Sequence, residues 1–263
     1  MGSLFYSIGL LLSLSLLVVG YMFRHRVFAL LTFLSEKPNP VLQLVYLTLV
    51  FGIFHVFRQH GFHLISEFHH VGTWCLVLLA SSLFVGLCFS DPVFLTVHNE
   101  RALSALAPAP DGLLYTLEPK RCTTCNGGRL LRPARAKHCA VCGHCVHVFD
   151  HHCYWANTCI SKNNKALFLS FLLATAALCF YCVYLCVTIV LKLARKQAIA
   201  VDGVKDFLIV FMLRGGVFRN MAIITLVAGV AVGAFFLFHL RLACKNMTTN
   251  ELRNESAERT IAI

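Results

Sequence analysis

Seven cysteines lie between Cys122 and Cys159, with five histidines among them: His138, His144, His147, His151 and His152. Their order is Cys122-x-x-Cys125, His138-Cys139-x-x-Cys142-x-x-Cys145, Asp150-His151-His152-Cys153, then Cys159. Thiolates and imidazoles at repeated two-residue gaps are the donors of tetrahedral zinc, with Zn–S near ~2.3 Å. Two zinc ions take eight ligands, and the stretch offers more than eight. A set of buried free cysteines does not explain the repeated gap. The segment from Asn126 to Val148 has few large apolar residues and is too poor in core to fold alone. Metal binding supplies the missing free energy, and the expected product is a small, loop-rich module with short hairpins.

Spacing does not say which cysteine is left over. A nucleophilic cysteine needs a base to make thiolate, and the base needs an orienting partner. Cys153 has His151 and Asp150 as close neighbours. Residues two apart on an extended chain point the same way, so His151 can face Cys153 while His152 turns towards a metal. The rival reading of Cys153 is a terminal zinc ligand.

The rest of the chain must hold this stretch, and it is apolar. The 263 residues are 58% hydrophobic and 13% charged, with mean hydropathy +0.72. Charge at half the level of a soluble domain, with long uncharged runs, predicts an integral membrane protein. Thirteen cysteines, clustered as above, indicate metal binding in a reducing compartment rather than a disulfide scaffold. Spans are expected at Leu4–Phe23, Val41–Phe57, Val71–Phe89, Ala166–Leu191 and Met221–Leu240. Arg24-His25-Arg26 follows the first run, the reverse of a signal peptide. Residues 58–70 form a polar interfacial loop rich in histidine, 102–117 a linker, and 201–220 an interfacial or re-entrant segment. Gly229 and Gly233 have the small-x-x-x-small spacing, which is common by chance in apolar sequence.

The expected fold is therefore an all-α polytopic membrane protein of about five transmembrane helices with a small cytosolic zinc-binding cysteine-rich domain containing short β-hairpins. Its parts are 1–117 (three spans and linker), 118–165 (cysteine-rich domain), 166–245 (remaining spans and interfacial segment) and 246–263 (tail). Residues 24–40, 90–165 and 241–263 hold 16 of the 23 Lys and Arg, which places the cysteine stretch and the tail in the cytoplasm. The net charge of +11 suits loops facing anionic lipid. No soluble basic domain is present to carry nucleic acid.

The order Cys-x-x-Cys, Arg-Pro-x-Arg-x-x-His-Cys, Cys-x-x-Cys, Asp-His-His-Cys-x-Trp-x-Asn-x-Cys resembles the cysteine-rich domain of the DHHC protein S-acyltransferases, or palmitoyltransferases. The match extends to Asn164 and Phe168, and Thr248-Thr249-Asn250-Glu251 fits the family's Thr-Thr-x-Glu after the last helix. The resemblance implies Cys153 as the acylated nucleophile, His151 as its base, Asp150 as the residue orienting His151, and Thr249 as support for Asp150. It implies one structural Zn2+ on Cys122, Cys125, His138 and Cys145, and a second on Cys139, Cys142, His152 and Cys159. The chain departs from the family in four places. Twelve residues separate Cys125 from His138 where nine are usual, Tyr154 replaces Pro, Ser161 replaces Gly, and Val93 replaces the Gly of Asp-Pro-Gly.

The implied reaction carries a long-chain acyl group from acyl-CoA (palmitoyl-CoA) through Cys153 to cytosolic cysteines of membrane-associated proteins. The implied site is the lipid bilayer of an endomembrane, endoplasmic reticulum or Golgi. Trp155, Phe168 and Phe171 are candidates for the mouth of an acyl cavity, with plain helix packing as the rival. Arg132 and Arg135 are candidates for the CoA phosphates, with lipid headgroups as the rival. A DHHC-like zinc-binding membrane scaffold without turnover is the alternative function. A RING-type ligase has a different ligand spacing and gives no reason for Asp150-His151.

Overall fold

Pro40 cannot continue a chain into a helix from within, but it starts one well. Its carbonyl accepts the N–H of Leu44 at 3.0 Å, and helix α1 runs from Val41–Gly61. The structure, a computed structural model, describes residues 39–99, 120–133, 135–197, 199 and 201–254, with isolated positions 24, 26, 32 and 33. The expected span at 4–23, the linker at 102–117 and the last residues of the tail lie outside the described residues.

A 3-10 turn, Phe62–Leu64, links α1 to α2 (Glu67–Cys88). The expected polar loop is shorter than its sequence suggested. His60 ends α1, while His69 and His70 open α2. His69 Nδ1 meets the Tyr181 hydroxyl at 2.9 Å and His70 Nε2 meets the Phe62 carbonyl at 2.7 Å. α3 (Lys165–Lys196) is the longest helix, followed by α4 (Val204–Arg214) and α5 (Gly216–Cys244). Four of these helices, counting α1 with its 3-10 turn, are long and apolar enough to cross a membrane. α4 has 11 residues, about half the length needed for a ~30 Å hydrocarbon core. It lies within 201–220, the stretch read as an interfacial or re-entrant segment, and α5 starts earlier than expected. A Cβ at Gly215 would lie 2.3 Å from the Phe211 carbonyl oxygen, so only glycine makes that corner.

α3 is the centre of the bundle, with α5 along one side and α2 along another. One glycine of the spaced pair in α5, Gly229, has a packing role. A Cβ on Gly229 would meet the Cys179 Cβ of α3 at 3.0 Å, so Gly229 sets how closely the two helices approach.

The cysteine stretch folds into three antiparallel hairpins: β1 (Lys120–Arg121) with β2 (Leu131–Arg132), β3 (Lys137–Cys139) with β4 (His144–Val146), and β5 (Phe149–Cys153) with β6 (Thr158–Ser161). The additional residues after Cys125 form a turn in which Asn126 and Gly127 are left-handed, and Leu130 then buries against Leu95, Cys122 and Cys145. The module also recruits the chain after α2. Leu95 N–H donates to the Cys145 carbonyl at 2.8 Å, His147 N–H to the Val93 carbonyl at 3.1 Å, and Phe94 bridges Val146.

Candidate active site

Two clusters of four donors stand within the module: Cys122, Cys125, His138 and Cys145, and Cys139, Cys142, His152 and Cys159. In the first, Nδ1 of His138 lies 3.6, 3.2 and 3.8 Å from the sulfurs of Cys122, Cys125 and Cys145. In the second, Nδ1 of His152 lies 3.7, 3.4 and 3.6 Å from those of Cys139, Cys142 and Cys159. Ligands around tetrahedral zinc stand about 3.5–3.8 Å apart, so both donor sets fit the ion in spacing and chemistry. Each Cys-x-x-Cys turn aims a backbone N–H back at its first sulfur, Cys125 to Cys122 at 3.3 Å and Cys142 to Cys139 at 3.4 Å. One hairpin, β3–β4, carries ligands of both clusters, because His138 pairs with Cys145 and Cys139 with His144. Among the described residues these are the groups able to hold a metal, and the histidines of 58–70 are not among them.

Cys153 belongs to neither cluster. It ends β5, opposite Thr158, and packs against the buried cluster that holds Phe84, Ala156, Ile160, Phe168 and Phe171. Burial pushes its thiol up, against the backbone N–H groups of Ala156 and Trp155. A register irregularity between Phe149 and His151 leaves Asp150 bulged out of the ladder, a device that re-aims a side chain. Asp150 is 2% exposed. Its Oδ1 accepts the N–H of Thr249 at 2.5 Å and its hydroxyl at 2.8 Å. Oδ2 faces Nδ1 of His151 at 3.4 Å and forms an ion pair with Lys165. Burial alone would raise the Asp150 pKa. The contact with His151 and the charge of Lys165 outweigh it and hold the carboxyl well below the usual range.

Thr249 reaches Asp150 because of its place on a helix. Residues 249–254 are helical, and Thr248 and Glu251 cap them reciprocally. The Glu251 N–H donates to the Thr248 hydroxyl at 3.2 Å, and the Thr248 N–H to Glu251 Oε2 at 2.8 Å. This is a capping box. Thr249 is then the first helical residue, whose N–H has no partner within the helix, and the positive end of the helix faces a carboxylate.

Asn164 fixes the other side. Its amide donates to the Ser90 hydroxyl at 2.8 Å and the Cys159 carbonyl at 3.0 Å, and it accepts from the Ser161 N–H at 2.9 Å. One side chain thus joins the end of α2, strand β6 and the start of α3.

An apolar cavity of about 430 Å3 opens among α1, α2, α3 and α5, with Cys153 and Trp155 in its lining. Phe168 and Phe171 line it too, so the structure brings these three aromatics together around the thiol. Arg135 does not go where the sequence suggested. It is buried, with Nε on Glu251 Oε1 at 2.5 Å and Nη2 on the Asn246 carbonyl at 2.7 Å. Its charge is committed inside the protein, so it does not face a phosphate. Arg132 is half-buried, and its Nε has no hydrogen-bond partner.

Three residues of the site were missed. In the sequence Lys165 is one more basic residue, Glu251 is part of a motif, and His239 sits inside an apolar run. An ionisable side chain in an apolar helix is a signal of function or of a named partner, and that signal was available for His239.

A bundle of membrane-competent helices with an apolar cavity, and beside it a module with two metal-competent donor sets that leaves Cys153 in the cavity lining, defines a thiol site. Residues 116–256 match the family model described as DHHC palmitoyltransferase, and the chain belongs to that family. It is 34% identical over 191 residues to palmitoyltransferase ZDHHC4 of Bos taurus, covering 67% of this chain and 54% of that protein. It is 34% identical over 157 residues to probable protein S-acyltransferase 2 of Arabidopsis thaliana, covering 59% and 35%. Identity to palmitoyltransferase swf1 of Schizosaccharomyces pombe is 32% over 157 residues, covering 58% and 42%. The chain thus spans about half or less of the length of these relatives.

Proposed function

We propose that this chain is a protein S-acyltransferase that carries a long-chain acyl group from acyl-CoA to protein cysteines through Cys153. The observation that carries the reading is the position of Cys153 in the lining of the apolar cavity, outside both metal clusters. A palmitoyl chain gains ~0.8 kcal/mol per buried CH2, roughly 10 kcal/mol in all. The cavity falls within the ~300–1,000 Å3 range of ligand pockets.

In the first step His151 takes the Cys153 proton, and the thiolate attacks the thioester carbonyl. The C–S bond to CoA breaks, and the CoA sulfur leaves as thiolate, taking the proton from His151. In the second step His151 takes the proton of a thiol on a membrane-associated protein substrate, and the thiolate attacks the acyl-enzyme carbonyl. The C–S bond to Cys153 breaks, and the Cys153 thiolate takes the proton back from His151. One thioester replaces another in each step, so no external energy source is required, and ping-pong kinetics result. Asp150, held by Thr249, orients His151. Each of the two donor sets, Cys122, Cys125, His138 and Cys145, and Cys139, Cys142, His152 and Cys159, would hold a zinc ion in a structural role. Arg132, unlike Arg135, remains a candidate for the CoA phosphates. The basic excess around the module orients it to the cytosol, where cysteine substrates and acyl-CoA are found, on an endomembrane of the endoplasmic reticulum or Golgi.

The test is the intact mass of the purified full chain after incubation with palmitoyl-CoA. One acyl adduct per chain, released by hydroxylamine and missing in Cys153→Ser at unchanged zinc content, supports the reading. No adduct on zinc-loaded protein leaves a zinc-binding scaffold instead.

A further inference from the structure

Asp150 is held on both oxygens, and the holder of the second has its own partner in the bundle. Lys165, the first residue of α3, forms its ion pair with Oδ2. The same Nζ lies 2.9 Å from Nδ1 of His239 in α5. Nδ1 of His239 is itself 3.7 Å from Asp150 Oδ2. An ammonium has three N–H donors and no acceptor. The contact therefore makes Nδ1 of His239 the acceptor and puts the ring proton on Nε2.

His239 is 1% exposed. Its ring lies 5.0 Å from that of Phe168, 4.4 Å from Phe235 and 5.3 Å from His151. From Met221 to Leu240 it is the one ionisable side chain. A polar group in such a helix is costly unless it is partnered, and here its partner is a lysine at the head of the neighbouring helix. Without an acceptor behind it, a long ammonium side chain that is 15% exposed gains freedom by turning out to water, and Oδ2 loses its fixed partner.

We propose that His239 is a positioning residue for the acyl transfer: it holds Lys165 on Asp150 Oδ2, so that the carboxylate facing His151 is fixed from the membrane side as Thr249 fixes it from the tail. The lysine joins α3 and α5, two walls of the cavity, to the strand that carries the thiol. The inference rests on the reading of Cys153 as the acylated residue.

The test compares full-length wild type, Cys153→Ser, His239→Leu, His239→Asn, Lys165→Met and the double variant His239→Leu/Lys165→Met in detergent. The readouts are the rate of acyl-enzyme formation against palmitoyl-CoA concentration and the zinc content. His239→Leu keeps two zinc ions and slows formation at saturation roughly ten- to hundredfold, the scale of a small misplacement of a reacting group. Its half-saturating concentration stays near that of wild type. His239→Asn, which keeps an acceptor near the place of Nδ1, recovers most of the rate. The double variant is no slower than Lys165→Met alone, because His239 acts through the lysine. A wild-type rate in zinc-loaded His239→Leu overturns the inference while leaving the acyl-enzyme intact. Additive losses in the double variant overturn it as well. Should His239→Leu lose metal, Lys165→Met decides: slow formation at full zinc content supports the inference, and an unchanged rate overturns it. Absence of any adduct on wild type overturns the reading beneath it.

Discussion

Arg135 and Glu251, 116 residues apart in sequence, form an ion pair with Nε 2.5 Å from Oε1 and side chains only 3% and 1% exposed. The second nitrogen, Nη2, reaches Glu251 Oε2 at 3.1 Å, so the pair is bidentate. It ties the chain after α5 to the turn before β3, and so delivers Thr249 to Asp150.

Removing one partner of a buried pair strands the other charge, at a cost of about 3–5 kcal/mol. Glu251→Leu or Arg135→Met alone therefore lowers the apparent melting temperature of the purified protein strongly. The double substitution to Leu and Met is less damaging than either single one, because no bare charge remains. Thermal unfolding of the three variants in one detergent checks this, and equal or greater loss in the double variant contradicts it.

The backbone at Val93 is strained. Its φ is +60°, a region where a β-branched residue is a genuine outlier. The conformation is held by its N–H on Asp91 Oδ1 at 2.8 Å and by its carbonyl, which accepts the His147 N–H at 3.1 Å. A left-handed residue costs ~1–2 kcal/mol, more than glycine loses in chain entropy, ~0.5–1 kcal/mol. Val93→Gly, the residue the family's Asp-Pro-Gly carries there, is thus expected to raise stability by up to about 1 kcal/mol. A higher melting temperature with unchanged zinc content is the result to look for.

The two metal clusters share one hairpin, so losses should be countable but not independent. Cys153→Ser retains two zinc ions per chain. Cys122→Ala loses the first ion, and Cys139→Ala loses the second and folds poorly, since Cys139 ends β3 and is buried beside Val146, Phe149 and Cys159. Elemental analysis of purified variants reads the stoichiometry. Stripping both ions with a strong chelator collapses the module while the far-ultraviolet helical signal of α1–α3 and α5 persists, because the long helices draw their stability from one another and from the membrane.

The donors were legible in the sequence because a Cys-x-x-Cys turn is a local object, but their division into two sets needed the family resemblance, since Cys142 and Cys145 share that spacing and fall in different clusters. Four of the five expected spans were legible as long apolar helices, because twenty apolar residues have few other uses, and the one at 4–23 lies outside the described residues. Arg135 was misread for the opposite reason. A run of basic residues shows charge but not partners, and the carboxylate that takes this one lies beyond three more helices. Lys165 and His239, 74 residues apart, meet only once α3 and α5 pack. Gly229 was dismissed as chance spacing, and only the approach of Cys179 reveals its use.

Thr249 offers the finest dissection of the Asp150 clamp, since its two donors can be removed separately. Thr249→Val deletes the hydroxyl, with its bonds to the Asp150 carbonyl at 2.9 Å and to Oδ1 at 2.8 Å, but spares the backbone N–H at 2.5 Å. Acyl-enzyme formation should slow by roughly tenfold, about 1.4 kcal/mol of barrier. Thr249→Ser keeps both donors and stays near wild type. Thr249→Pro removes both, at the one helical position where proline is well tolerated, so the capping box of Thr248 and Glu251 survives it. It should be slower than Thr249→Val at equal zinc content. If proline and valine are equally slow, the backbone donor contributes nothing, and the hydroxyl alone holds the carboxylate.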